Sequence, residues 1–373
     1  MKILYIEPYY ADSHRSWIES YSTHSRHDIE ILKLPGNKWK WRMHGGAITL
    51  ADEFMARKNI YDLILCSDFL NLPVFISIAK KKIAATPVAM YFHENQIAYP
   101  WSDHDPDIAL RRDVHYHYIN HTSAMVSDWN FFNSAYNLNS FIGGLGTYLK
   151  RMPDHQNISS IEKIKNKSSV LHLGCELSRF DSHTIQNKKN KIPTILWNHR
   201  WEYDKNPELF FRTLFKIKEL GVDFHLILLG EKFSSSPAIF NTAIEKLGDN
   251  IVHQGYCTSF EDYAKWLWRA DIIPVTSNQD FFGISAVEAV HCGTYPILPK
   301  RLSFPEIFDE ERNSEIFYNK DSELIEKIMK ALKNYEKLKN YSFLTKHYDW
   351  KQIVSTYDQR FKRIIEESPN KVN

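Results

Sequence analysis

The sequence predicts an α/β protein in which a parallel sheet occurs twice, once in each of two domains. Three observations predict this class. A chain of 373 residues can fill two apolar cores. Short apolar runs alternate with helix-length segments along the chain, which is typical of βαβ units. An Asn- and Lys-rich stretch, residues 181–191, separates two series of these runs and is the candidate linker.

Each apolar run is a predicted strand. In the first domain the predicted strands are residues 3–6, 29–32, 63–66, 88–91, 124–127 and 170–173. In the second domain they are residues 194–197, 224–229, 251–254, 272–275 and 295–298. Helices are predicted at 322–334 and at 350–367, where apolar side chains recur at helical spacing. We expect a first domain of residues 1–180, completed by a C-terminal helix at 350–373, and a second domain of residues 190–349.

Composition excludes several classes of protein. The 43% hydrophobic and 25% charged residues are typical of a soluble protein, and a net charge of +2 argues against a globally basic nucleic-acid coat. No apolar stretch is long enough to span a bilayer and no secretory signal begins the chain, so we expect a cytoplasmic protein without a membrane partner. No ligand spacing such as HExxH occurs, so no metal is expected. Isolated cysteines predict buried, reduced thiols at Cys66, Cys175, Cys257 and Cys292.

A pair of cations follows the predicted strand at 194–197. Arg200 can grip a phosphate through two parallel N–H groups, and Lys205 supplies a compact mobile charge. Together they can offset the charge of a nucleotide diphosphate without a metal. The alternative is a solvated loop in which these charges pair with Glu202 and Asp204.

Two carboxylates, Asp280 and Glu288, lie on either side of a predicted turn into a helix. Gly283 permits an unusual φ at this turn. Backbone N–H groups at the helix start can hold a pyrophosphate, while Asp280 accepts hydrogen bonds from sugar hydroxyls and Glu288 from a ribose. The alternative is an N-cap Asp and an ordinary surface Glu. The predicted binding set for the sugar nucleotide further includes His199, Tyr256, Phe281, Phe282 and Ile284.

Several motifs together resemble a known family. Arg200, Lys205 and the segment 280–289 (DFFGISAVEA) resemble the retaining GT-B glycosyltransferases of family 4. A narrower resemblance, to the tRNA-queuosine α-mannosyltransferase group, covers most of the chain. It is carried by residues 34–42 (LPGNKWKWR), 91–96 (YFHENQ), 153–155 (PDH), 197–202 (WNHRWE) and 295–300 (YPILPK).

The resemblance implies two Rossmann-like domains whose parallel sheets face each other across a central cleft. It also implies a retaining enzyme that transfers mannose from GDP-mannose, bound by the second domain, to queuosine in the anticodon loop of tRNA (tRNA-Asp type), bound by the first. No metal or other cofactor is implied. Arg200 and Lys205 would hold the diphosphate, Glu288 the ribose and Asp280 the mannose hydroxyls. Two positions depart from the family, because Asp280 stands where Glu is usual and residues 11–12 (AD) stand where glycines are usual.

The acceptor side is predicted from His93, Glu94 and Asn95, which follow the strand at 88–91. His93 can bond the sugar, and Glu94 or Asn95 can order the acceptor hydroxyl. From the residues alone, a buried structural His is the commoner outcome, but the resemblance favours His93 as an active-site residue. In such enzymes the leaving phosphate assists the incoming hydroxyl, so catalysis is mostly orientation and charge stabilisation. The predicted catalytic set is His93, Arg200, Lys205 and Asp280.

A second acceptor-binding segment interleaves cations and indoles, namely Lys38, Trp39, Trp41 and Arg42. Indoles can stack on splayed bases while the cations meet phosphates. The alternative is a strand or loop with half-buried tryptophans. Ser13 and His14 are also predicted to face the acceptor, although Asp12 or Ser13 could instead only cap the first helix.

Two other functions stay open at this point. One is a family 4 hexosyltransferase that acts on a glycan or a lipid-linked acceptor, which would favour an exposed apolar patch on the first domain. The other is an inactive protein that only binds tRNA. The presence of two cations and two carboxylates in the sugar-nucleotide motifs argues against the second.

Overall fold

The computed structural model describes residues 1–83, 85–102, 105–110, 114–185, 190–233 and 235–367, with the backbone alone at 12, 108 and 109. It divides into two compact units. Unit 1 is Met1–Cys175 with Trp350–Asn373, and unit 2 is Glu176–Asp349. The predicted linker therefore begins inside unit 2, and its residues 186–189 lie outside the described residues, as do residues 368–373 of the predicted C-terminal helix. The predicted cleft between the domains stays a prediction.

Unit 1 contains a six-stranded parallel sheet in the order β2-β1-β3-β4-β5-β6, as far as the described residues show. All five residues of β3 and of β4 are buried, as expected of central strands covered on both faces. The strands are β1 (Lys2–Tyr10), β2 (Asp28–Pro35), β3 (Leu63–Ser67), β4 (Val88–Phe92), β5 (Trp129–Phe132) and β6 (Ser168–Val170).

Unit 2 repeats this architecture with the order β12-β11-β10-β7-β8-β9 across its described residues. Strands β7 and β10 are neighbours, and the chain runs outward from them in opposite directions. Ligands bind at such a reversal, beyond the carboxyl ends of the two strands. The strands are β7 (Thr194–Asn198), β8 (His225–Leu229), β9 (Ile251–Gly255), β10 (Ile272–Pro274), β11 (Tyr295–Pro299) and β12 (Phe317–Tyr318).

Helices connect the strands in both units. In the first part of the chain they are α1 (Asp12–His24), α2 (Trp39–Ala56), α3 (Leu72–Ile83), α4 (Pro106–Ala109), α5 (Val114–Val126), α6 (Ala135–Leu149) and α7 (Ser159–Asn166). Unit 2 contains α8 (Ser178–Asp181), α9 (Pro207–Glu219), α10 (Ile239–Leu247), α11 (Phe260–Arg269), α12 (Ile284–His291), α13 (Phe304–Ile307) and α14 (Leu324–Lys333). The last helix is α15 (Trp350–Glu367).

The predicted strand at 124–127 is wrong. Residues 124–126 end helix α5, and the strand of this region is β5, which begins at Trp129. A short apolar run does not distinguish a strand from a buried helix end. The buried positions of α5 recur at helical spacing, and the apolar run continues that face. The predicted strand at 170–173 overlaps β6 only at Val170.

Aromatic packing attaches α15 to unit 1. Trp350 and Tyr357 are buried against Tyr21 of α1, with ring centroids 5.6 and 5.3 Å from it. The Tyr357 hydroxyl donates to the His172 carbonyl at 2.7 Å. A Cβ at position 174, where the chain has Gly174, would lie 2.6 Å from the Trp350 indole.

The segment after residue 175 is bound to unit 2 before the predicted linker ends. The Trp268 indole N–H donates to the Phe180 carbonyl at 2.9 Å, and the Phe180 and Phe260 rings lie 4.8 Å apart. This packing explains why the boundary between the units lies earlier than the composition indicates. No described helix combines the length and the apolar character that crossing a membrane requires. Three of the four cysteines are buried as free thiols, but Cys257 is only half-buried.

Candidate active site

Lys205 lies between two carboxylates at the end of β7. Its Nζ is 3.0 Å from Asp280 Oδ1, 3.1 Å from Asp204 Oδ2 and 2.8 Å from the Gln279 carbonyl. A left-handed residue, Asn206, ends the turn that carries Lys205 and caps α9 by accepting the Leu209 N–H. The turn and the cap thus fix the lysine beside the loop that follows β10.

Charge stabilises this cluster in its ionised form. Burial alone lowers the pKa of Lys205, but Asp280 and Asp204 raise it above its ordinary value. Burial alone raises the pKa of Asp280, but Lys205 and then His199 hold it below its ordinary value. Both groups are therefore charged at neutral pH.

Arg200 is the second predicted cation. Its side chain is 47% exposed and pairs with Glu202 at 3.1 Å. Arg200 is close enough to Lys205 to lower the lysine pKa. The pairing of these two cations with Glu202 and Asp204 that the alternative interpretation described is present.

The turn into α12 matches its prediction. Gly283 has a φ of 82° and caps a helix of eight residues that begins at Ile284. A Cβ at Gly283 would lie 2.7 Å from the Phe304 ring, so both the φ and the close packing require glycine here. The side chains of Phe281 and Phe282 are buried.

Glu288 lies in a short chain of hydrogen bonds that the sequence did not predict. The Tyr263 hydroxyl donates to Glu288 Oε2 at 2.6 Å. Asn198 Nδ2 donates to the Tyr263 hydroxyl at 2.9 Å and to the Ser285 carbonyl at 3.0 Å. Burial raises the pKa of Glu288 to about 7, although the bond from Tyr263 opposes this rise.

His199 adds a neutral imidazole to the same site. Its Nδ1 lies 3.1 Å from the Ser285 hydroxyl, and its buried Nε2 has no partner among the described residues. Burial lowers the pKa of His199 to about 4. Tyr256 is 69% exposed, and no described hydrogen bond or ring contact joins it to this cluster.

In unit 1, His93 follows β4 and is almost fully buried. Its backbone N–H donates to Asp68 Oδ1 at 2.9 Å, while its side-chain Nε2 has no partner among the described residues. The His14 ring lies 4.1 Å away, centroid to centroid. Burial and then the neighbouring His14 lower the pKa of His93, so its ring is neutral at physiological pH.

A buried carboxylate, Glu7, holds His14. Glu7 Oε2 lies 2.9 Å from His14 Nδ1 and also accepts the Tyr5 hydroxyl, while Oε1 accepts the Ser67 hydroxyl. Burial lowers the pKa of His14, but Glu7 overcomes this effect and raises it to about 9. Burial is the main cause that raises the pKa of the nearby Asp68 to about 8. The sequence did not predict this network.

Asn95, one of the predicted acceptor-binding residues, is hydrogen-bonded within unit 1. It is fully buried, its Nδ2 donates to Asn137 Oδ1 at 2.8 Å, and its Oδ1 accepts the Ala98 N–H at 2.8 Å. Both ends of the amide are thus used to fix the loop after β4. Glu94 is half-buried and accepts the Gln96 side-chain N–H at 2.6 Å.

The cation and indole segment begins helix α2, and not the strand or loop of the alternative interpretation. Successive helical residues point about 100° apart, so Trp39 and Trp41 lie on different faces. Trp39 packs on Tyr116 with ring centroids 5.0 Å apart, whereas Trp41 is 64% exposed. Lys40 pairs with two aspartates at 2.6 Å.

The remaining predicted residues of unit 1 lie near the starts of α1 and α2. Lys38 is exposed and left-handed, with a φ of 51°. The Arg42 guanidinium donates to Asn37 Oδ1 at 3.0 Å. Ser13 is exposed in the first turn of α1, where Ala11 is the N-cap, so Ser13 does not cap this helix. The Asp12 side chain lies outside the described residues. Among the described residues no three His, Cys, Asp or Glu side chains form a metal-binding group.

Two family models match the chain. The model described as "tRNA-queuosine alpha-mannosyltransferase N-terminal" matches residues 2–175, and that described as "Glycosyl transferases group 1" matches residues 178–346. A tRNA-queuosine alpha-mannosyltransferase from Drosophila melanogaster is 34% identical over 334 residues, which cover 87% of this chain and 85% of the relative. The chain belongs to the tRNA-queuosine alpha-mannosyltransferase family. It is therefore a glycosyltransferase, as the resemblance implied.

Solved structures support the fold of this family member. Sucrose-phosphate synthase from Thermosynechococcus elongatus aligns with a TM-score of 0.72 at 13% identity, covering 99% of this chain and 100% of that one. A glycosyltransferase from Rickettsia africae aligns with a TM-score of 0.66 at 15% identity, covering 98% and 99%. The α/β GT-B class predicted from the sequence is confirmed. At such low identity these two structures speak for the fold alone.

Proposed function

We propose that this protein transfers mannose from GDP-mannose to queuosine in the anticodon loop of tRNA of the tRNA-Asp type, with retention of configuration. The observation that carries the proposal is the buried Lys205–Asp280 pair at the start of α12, in a chain of the queuosine mannosyltransferase family. A tRNA acceptor assigns the reaction to the cytoplasm. Unit 2 takes the sugar nucleotide and unit 1 takes the tRNA.

The diphosphate is the charge that unit 2 must neutralise. Lys205 and Arg200 supply two cations, and the N-terminus of α12 adds backbone N–H groups at Gly283 and Ile284. Negative charge develops on the diphosphate as its bond to mannose breaks, so these groups stabilise the transition state more than the ground state. No metal or other cofactor is required in this proposal.

Hydroxyl recognition falls to the carboxylates. Asp280 accepts hydrogen bonds from mannose hydroxyls, and its bond to Lys205 holds it beside the diphosphate. Glu288 accepts from the ribose hydroxyls. The neutral His199 places one imidazole nitrogen, without a partner among the described residues, at the same site.

In unit 1, His93 presents a neutral imidazole nitrogen to the acceptor or the transferred sugar. It orients the queuosine hydroxyl, while a diphosphate oxygen receives the proton from that hydroxyl. The exposed Trp41 stacks on a base of the anticodon loop, and the exposed Lys38 contacts a phosphate of the same loop.

The test is incubation of the protein with labelled GDP-mannose and tRNA that carries queuosine, followed by digestion and nucleoside mass analysis. Parallel reactions use UDP-glucose, tRNA with unmodified guanosine in place of queuosine, and a lipid-linked or oligosaccharide acceptor. We expect hexose on queuosine from GDP-mannose alone. Transfer from another sugar nucleotide would show that the assignment of GDP-mannose as donor is wrong. Transfer to the lipid or glycan would show that the assignment of tRNA as acceptor is wrong.

A further inference from the structure

We propose that Tyr263, oriented by Asn198, is a positioning residue that aims the Glu288 carboxylate at the sugar of the nucleotide. The pair thereby makes the site selective for nucleotides that carry ribose hydroxyls. This inference rests on the proposed function, because it takes Glu288 as the ribose-binding group. Nothing in the sequence motifs points to Tyr263, which lies on α11, or to Asn198 at the end of β7.

The Ser285 carbonyl determines which group donates in the hydrogen bonds that join Asn198, Tyr263 and Glu288. The Ser285 carbonyl can only accept, so the Asn198 atom 3.0 Å from it must be the amide nitrogen. That same nitrogen lies 2.9 Å from the Tyr263 hydroxyl and donates to it. The tyrosine proton is therefore directed to Glu288 Oε2, at 2.6 Å.

Among the described residues no hydrogen bond reaches the other Glu288 oxygen, Oε1, which is therefore left for a ligand. A carboxylate held at one oxygen has a fixed plane, and its second oxygen can accept from two neighbouring hydroxyls at once. Ribose offers such a pair at its 2′ and 3′ positions. Burial raises the pKa of Glu288, and the bond from Tyr263 opposes this rise, so the tyrosine also keeps more of the carboxylate ionised.

The ring of Tyr263 is held independently of its hydroxyl. The Phe180 ring packs on it with centroids 5.9 Å apart at an angle of 62°. A Tyr263→Phe substitution therefore removes the hydroxyl and keeps the packing. The matched control is Tyr341→Phe, because the Tyr341 hydroxyl donates to a Glu315 carboxylate outside the site.

The experiment measures the affinities of GDP and of 2′,3′-dideoxy-GDP by calorimetric titration for the wild type and both variants. The wild type should prefer GDP. Tyr263→Phe should weaken GDP binding by about tenfold and leave the dideoxy nucleotide nearly unchanged, since one hydrogen bond to a charged group contributes about 1.5 kcal/mol or more. Tyr341→Phe should keep the wild-type ratio of affinities.

The outcomes separate the ribose role of Glu288 from the positioning role of Tyr263. If the wild type binds both nucleotides equally, the ribose role of Glu288 in the proposed function is wrong. If the wild type discriminates but Tyr263→Phe keeps the same ratio, whether its affinities are unchanged or equally reduced, Tyr263 is structural only and the inference is overturned. The inference is supported if Tyr263→Phe has a smaller ratio of GDP affinity to dideoxy-GDP affinity than the wild type and the same melting temperature.

Discussion

Lys205 Nζ and Asp280 Oδ1 lie 3.0 Å apart although 75 positions separate the two residues in the chain. The bond joins the loop after β7 to the loop after β10, at the point where the strand order of unit 2 reverses. Because Asp204 also contacts this lysine, the cation has two carboxylate partners before any substrate binds. In the proposed function Lys205 keeps its bond to Asp280, and the diphosphate competes with Asp204 for the same cation.

Replacing Lys205 by Ala should reduce turnover on the order of 100-fold or more, as expected when a group that stabilises developing charge is removed. Affinity for tRNA should change little. The control is Lys265→Ala, because Lys265 pairs with Glu261 on the surface of α11. Steady-state transfer and tRNA binding measure the two effects, and wild-type turnover in Lys205→Ala would remove this residue from the active site.

Ribose recognition should depend on pH. The pKa of Glu288 is about 7, so the carboxylate is mostly ionised at pH 8 and mostly protonated at pH 6. The preference for GDP over 2′,3′-dideoxy-GDP should fall by up to about tenfold between these values, since each pH unit below a pKa reduces the ionised fraction about tenfold. Taking the ratio cancels the titration of the phosphates. Glu288→Gln should show a ratio that does not vary with pH, and a wild-type ratio that is equally constant would contradict the assignment.

His14 should remain protonated at pH 8. Its pKa is raised from 6.5 to about 9, so the Glu7–His14 pair gives stability that is fully present below pH 6.5 and is lost as the pH rises through about 9. In Glu7→Gln the His14 pKa should fall from its raised value, because burial then acts against Asp68 and Glu94 without Glu7. NMR of labelled histidine rings checks both values. A wild-type His14 that titrates near 6.5 would show that Glu7 does not stabilise the protonated imidazole of His14.

The two tryptophans of the α2 start should behave differently. Trp41→Ala should weaken tRNA binding by about 1–3 kcal/mol, the usual contribution of one stacked base, and leave the melting temperature unchanged. Trp39→Ala should lower the melting temperature, since Trp39 packs among Phe69, Trp101 and Tyr116. Filter binding with tRNA and thermal unfolding separate these effects. Equal tRNA affinity in wild type and Trp41→Ala would exclude stacking on this residue.

Much of the fold follows from local sequence. Strands such as β3 and β4 are apolar on both faces because helices cover a parallel sheet, and such runs are visible without any tertiary information. Strand β5 does not stand out in the sequence because Asn130 interrupts its apolar run, and the two-residue β12 leaves almost no pattern. Where the chain passes from one unit to the other depends on tertiary packing, such as that of Phe180 on Phe260.

The candidate site also contains features that local sequence predicts and features that depend on tertiary contacts. Gly283 and the carboxylates around it stand in one continuous motif, so their local geometry is predictable. The bonds from Tyr263 to Glu288 and from His14 to Glu7 join side chains on separate elements, and no spacing in the sequence marks them. Asn95 shows the opposite case, since this motif residue, predicted to bind the acceptor, bonds to Asn137 of α6 and to the Ala98 N–H of its own loop.

The role of Lys205 in mannose transfer is tested most directly by a single-turnover reaction of labelled GDP-mannose with queuosine-containing tRNA, run in parallel for the wild type, Lys205→Ala and Lys265→Ala. We expect labelled mannose on queuosine with the wild type and with Lys265→Ala, and almost none with Lys205→Ala. Mannosylation at the wild-type rate by Lys205→Ala, or a wild type that leaves queuosine unlabelled, would contradict this expectation.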